Sequence, residues 1–123
     1  MRNPLSRTGA LAIMALLPFA ALGQDAPMTG QQIQDTWAGK DLVGNAASGA
    51  RLLMRLEKDG TATVAAGNMS DTGTWRPHES GYCATWVKIR KGEERCFTVI
   101  QSGSSYKVLN PDGSASGSIT AIR

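Results

Sequence analysis

From Arg51 to Glu57 the chain alternates, with Leu52, Met54 and Leu56 on one side and Arg51, Arg55 and Glu57 on the other. A period of two is the mark of a strand with one face buried and one in water. Lys58-Asp59-Gly60 follows as a turn, because Asp-Gly tolerates the positive φ that a tight hairpin demands, and Thr61–Ala65 reads as the returning strand. Similar segments recur at Thr72–Arg76, Tyr82–Arg90, Glu94–Gln101, Ser105–Leu109 and Ser114–Ile122. Turn text around residues 77–81, Lys91-Gly92, Ser102-Gly103 and Asn110-Pro111-Asp112-Gly113 divides them. With a Gly- and Ala-rich strand near Asp41–Ala46 they make eight. Short strands joined by short turns imply an antiparallel meander, and closing it removes the edges that invite aggregation. The expected fold is all-β with a short N-terminal helix: an up-and-down barrel or, alternatively, a strongly curved sheet covered by that helix.

The helix is expected over Gly30–Ala38, capped by Thr29 and stopped by Gly39. Ile33 and Trp37, four residues apart, share one face and are expected to plug the sheet.

The amino terminus reads differently. Arg2 and Arg7 precede an apolar run from Ala10 to Leu22 that Pro18 interrupts, and Ala21-Leu22-Gly23 offers small residues for cleavage. Residues 1–23 are expected to be a secretory signal peptide. The run is 13 residues long, short of the roughly 20 that cross a bilayer as a helix, so no retained membrane anchor is expected. The residue directly after Gly23 is Gln24, not a cysteine that could carry a lipid. Residues 24–123 then form a single small β domain, periplasmic or secreted and monomeric. All 10 acids but only 11 of the 13 Lys and Arg lie after residue 23, which leaves the domain at +1. That is too little positive charge to displace the counterions of a nucleic acid.

Cys83 and Cys96, in a chain leaving the cytosol, are expected to pair. Strand spacing opposes this. If Lys91-Gly92 is a two-residue turn, Cys83 faces Ile100 and Cys96 faces Val87. The sulfurs would then stand roughly 13 Å apart at about 3.3 Å per residue, beyond the reach of a disulfide. A bulge or a different turn near Ile89-Arg90 resolves the conflict.

Catalytic text is sparse. His78 and Glu79 adjoin in a turn, but no nucleophile, oxyanion-hole motif or second histidine is tied to them. An enzyme is not expected, and a His78-dependent reaction ranks last among the alternatives. Cysteines bonded to each other leave too few ligands for zinc, Glu93-Glu94 lacks the alternation of a calcium loop, and the glycines fit no phosphate cradle. No metal or cofactor is expected.

Two groups of side chains are candidate contacts. Trp75, Trp86, Phe97 and Tyr106, on separate strands, meet on one wall of a barrel and either bind a small apolar ligand or fill the interior. Lys88, Arg90, Lys91 and Arg95 are the main basic concentration, with Trp86, Lys88 and Arg90 sharing a face of an extended strand and offering a surface to an acidic partner.

Thr29-Gly30-Gln31-Gln32-Ile33, Ala38-Gly39-Lys40, Lys58-Asp59-Gly60, Thr72-Gly73-Thr74-Trp75-Arg76, Gly81-Tyr82-Cys83-Ala84-Thr85-Trp86, Arg95-Cys96-Phe97 and Pro111-Asp112-Gly113 follow one another in order. Together they resemble a family of small secreted bacterial β proteins of uncharacterised function. The resemblance implies a compact exported β fold with paired cysteines and carries no activity. The expected function is a non-enzymatic exported binding module for a small apolar ligand or an envelope protein. Alternatives are an inhibitor of a secreted hydrolase, with Arg90-Lys91 as a basic contact, and a structural envelope protein.

Overall fold

The computed structural model describes residues 25–123; the expected signal peptide lies outside the described residues. Eight strands, β2 (Leu42–Ala46), β3 (Arg51–Leu56), β4 (Thr61–Ala66), β5 (Met69–His78), β6 (Gly81–Trp86), β7 (Arg95–Ser102), β8 (Ser105–Leu109) and β9 (Ala115–Ile122), each pair antiparallel with the next. The pairing of β9 with β2, Leu42 against Ile122 through Ala46 against Gly117, closes the ring. The fold is therefore the up-and-down barrel. A ninth strand, β1 (Ala26–Pro27), adds to β7 where β6 leaves it, through Ala26 against Gln101 and Pro27 against Ile100.

Alternation decides the two faces. Leu52, Met54 and Leu56 point inward and pair with Ala66, Val64 and Ala62 of β4, which share the interior. Val99, Val108 and Ile119 carry the same layer across β7, β8 and β9. The curvature needs close strand approaches. A Cβ added at Gly44 would collide with the Ser118 carbonyl oxygen, beside the register shift between Val43 and Gly44. Gly44→Ala is expected to destabilise by about 1–3 kcal/mol, since a clash with backbone is relieved only by moving a strand. Chemical denaturation checks this, and an unchanged midpoint would show that the seam tolerates a side chain.

One end of the barrel is closed by α1 (Gly30–Thr36). Thr29 Oγ1 accepts from the Gln32 amide at 3.1 Å and Gln32 Oε1 accepts from the Thr29 amide at 2.9 Å, a capping box that fixes where the helix begins. The helix stops at Thr36, two residues before the expected Ala38, and Trp37 already lies at its C-cap. Gly39, at φ 79°, turns the chain so that its amide donates to the Leu56 carbonyl at 2.8 Å. Ile33 and Trp37 are fully buried, as the four-residue spacing predicts.

The departure from the expected hairpin is at β6–β7. β6 ends at Trp86, and the eight residues from Val87 to Glu94 replace the two-residue turn expected at Lys91-Gly92. They contain a 3₁₀ turn over Ile89–Gly92 in which Arg90, Lys91 and Gly92 all have positive φ, 55°, 53° and 80°. The longer connection shifts the register by four residues, so Cys83 sits directly opposite Cys96. The two form a disulfide.

Candidate functional site

The half of the barrel away from α1 is not filled. A cavity of about 190 Å³ opens there. Its walls are inward residues of successive strands, among them Leu52, Met54, Val64, Met69, Phe97 and Val108, with Ile89 of the 3₁₀ turn at the mouth. Tyr82 lies in the lining too, and its ring packs tilted against those of Phe97 and Trp37, with centroids 5.2 and 6.0 Å away, linking cavity and plug. Among the described residues its hydroxyl has only the Met54 sulfur, at 3.9 Å, as a partner. Burial pushes the phenol pKa up, so the group is a neutral donor facing a poor acceptor.

The four aromatic candidates separate into two pairs. Trp86 and Phe97 line the cavity. Trp75 instead donates its indole N–H to the Glu57 carbonyl at 2.7 Å, and Tyr106 packs edge-on against Trp37 at 5.4 Å. They fill the closed half. The interior is thus part core and part cavity, between the two expectations.

The basic cluster divides as well. Because β6 ends at Trp86, Lys88 and Arg90 do not continue its face, and the surface expected from an extended strand does not form. Lys88, Arg90 and Lys91 are exposed on the connection, whereas Arg95 is half-buried on β7. Arg90, Glu93 and Arg95 border the cavity and give its mouth charge of both signs.

What holds the mouth was not evident from sequence. Asp71, 5% exposed, is the buried charged residue of the described chain. Its carboxylate accepts from the backbone amides of Thr72, Lys88 and Ile89 at 2.8, 2.9 and 2.8 Å and so anchors the start of the connection. At the far end Arg76 forks onto Glu94, Nε to Oε2 at 2.9 Å and Nη2 to Oε1 at 3.0 Å. A lone Asp in a strand gives no signal of this role, because its partners are amides of residues far along the chain.

These anchors titrate. Burial alone would raise the Asp71 pKa, but the amides of Ile89, Lys88 and Thr72 outweigh it and hold the carboxyl below its ordinary value. The Arg76 fork lowers Glu94 in the same direction. A pKa depressed on folding contributes stability that is present above the unfolded value, about 4, and is lost as pH falls through the folded one. The melting temperature is therefore expected to fall below about pH 4. Asp71→Asn, which removes that charge while keeping the side-chain shape, should lower stability at pH 7 and flatten the acid limb. Melting curves from pH 7 to pH 3 test this; parallel limbs for wild type and variant would remove Asp71 from the anchor.

His78 lies on the outer wall beside the disulfide, its ring nitrogen and the two sulfurs all within 4.8 Å. Sulfurs bonded to each other offer no thiolate to a metal. A larger open groove of about 460 Å³ runs over the outward side chains of β3–β5, including Leu53, Thr63, Ala65 and Thr72, next to Val87. Leu53 and Val87 are 46% and 68% exposed. The groove lies on the outer wall, whereas the cavity is lined by inward side chains of the barrel strands.

The fold and site together define a class: a closed eight-stranded antiparallel barrel, plugged by a helix at one end and hollow at the other. No family model matches the chain, and no curated protein or solved structure matches it at a significant level. The disulfide fits an oxidising, exported environment. No helix among the described residues is long and apolar enough to cross a membrane.

Proposed function

We propose that this protein is an exported, non-enzymatic binding module that takes a small apolar ligand into the hollow end of its barrel. The cavity carries this reading. Core packing leaves few voids larger than a water molecule, and an apolar cavity of about 150 Å³ is large enough to hold a benzene-sized guest. Here a comparable space is walled by aliphatic side chains, Trp86 and Phe97, whereas Ile33, Trp37, Leu42 and Leu56, which do not line it, are fully buried. Apolar walls with few polar groups are the usual make-up of a small-molecule site. The amino-terminal pattern of residues 1–23 supports export by a cleaved leader, and the disulfide supports an oxidising destination such as the periplasm.

Native mass spectra of the protein expressed from its full sequence, recorded before and after denaturation, test the reading. A small added mass that is released on unfolding is the expected result. A bare monomer that also takes up no apolar probe, with tryptophan fluorescence unchanged on titration, would overturn it. A co-purifying protein in place of a small molecule would move the assignment to an envelope partner.

A further inference from the structure

Arg95 begins β7, and its register against Ala84 places it two residues before Phe97 on the inward side of the wall. It borders the cavity and is half-buried. The outer-wall arginines Arg55 and Arg76 each hold a carboxylate, at 2.7 and 2.9 Å. Arg95 takes part in none of the ion pairs among the described residues. A guanidinium against an apolar wall loses water on that side and is best satisfied by a planar anion that accepts two parallel N–H bonds. Arg90 adds a second positive charge at the same mouth. The acids nearby are Glu93 on the rim and Asp112 in the β8–β9 turn, where the Ser114 hydroxyl and amide both donate to Oδ1, at 2.6 and 2.9 Å, and the charge of Arg95 adds to them in holding the carboxyl below its ordinary value, without an ion pair between the two.

Apolar walls below and an inward arginine at the opening match a molecule with one apolar and one anionic end. We propose that the ligand is a small amphiphilic carboxylate, its hydrocarbon part in the barrel and its carboxylate on Arg95. This rests on the reading of the cavity as a binding site. The cavity of about 190 Å³ limits the hydrocarbon part to a short chain or a single ring.

Calorimetric titration of the wild-type protein with butanoate, hexanoate, octanoate and decanoate, each paired with its alcohol, separates the two parts. Affinity should rise about fourfold per added methylene until the cavity is full. Each acid should bind about tenfold or more tighter than its alcohol, the advantage of a charge-assisted hydrogen bond. Arg95→Leu should erase the acid's advantage while leaving the alcohols bound, and Arg95→Lys should keep part of it. Equal binding of acid and alcohol by the wild type would overturn the carboxylate assignment and leave the cavity reading standing. No binding of either series would overturn both. An acid preference that survives in Arg95→Leu, with unchanged far-ultraviolet dichroism, would remove Arg95 as the anchor.

Discussion

Trp37→Ala is expected to cost about 3–5 kcal/mol, the range for deleting a large buried aromatic, and so a large part of the roughly 5–15 kcal/mol that holds a small domain folded. The indole is fully buried at the helix-plugged end. It contacts Tyr106 edge-on at 5.4 Å and Tyr82 at 6.0 Å. Its loss therefore empties the plug and removes the support behind the Tyr82 ring that lines the cavity. The short helix cannot compensate, since seven residues are too few to hold together without tertiary packing. Urea denaturation gives the measurement, with a thermal midpoint lower by about 4–8 °C per kcal/mol for a domain of this size. Trp37→Phe makes the informative comparison. The indole N–H is buried without a hydrogen-bond partner among the described residues, so phenylalanine removes an unsatisfied donor along with some volume and should cost much less than alanine. Equal losses for the two variants would mean that the volume near the indole nitrogen, rather than the ring as a whole, holds the plug.

Cys83→Ser should cost about 3 kcal/mol, as expected for opening a loop of this size in the chain-entropy model. Sequence separation across the bridge is 13. Its place in the fold makes the effect local as well as global. β6 and β7 share only the pairs from Gly81–Thr98 to Ala84–Arg95, and the cysteines sit within that short ladder. On one side the ladder leads to the Val87–Glu94 connection at the mouth; on the other β7 continues under the protection of β1 and β8. Amides from Arg95 to Phe97 should therefore exchange faster in the variant, while Val99, fully buried, stays protected. Reduced wild type should unfold at the same denaturant concentration as Cys83→Ser. A variant as stable as the oxidised protein would show that the ladder holds without the bridge.

The strands legible in the sequence were those with strong local patterns. Alternation at Arg51–Glu57, Asp59-Gly60 at the turn, and Thr29 with Ile33 and Trp37 all appear where local preference and burial agree. The hairpin over residues 82–101 did not read correctly because Lys91-Gly92 has the composition of a tight turn, while the connection is held by groups outside it. Asp71 on β5 binds the amides of Lys88 and Ile89, and Arg76 binds Glu94, so the strand stops at Trp86 and the cysteines align. The division of the aromatics has a similar origin. Alternation puts Trp75, Trp86, Phe97 and Tyr106 inside, but their distance from the helix plug decides which of them fill space and which border it.

By itself the sequence determined a half-buried antiparallel sheet, the helix start at Thr29 and a plug of Ile33 and Trp37, since each depends on residues within a few positions of one another. Only the tertiary structure decided ring closure between β2 and β9, the register that joins Cys83 to Cys96, and a hollow end bordered by Arg95. These depend on how many residues separate strands and on what packs at each end of the barrel, quantities set by contacts between distant parts of the chain rather than by any local pattern.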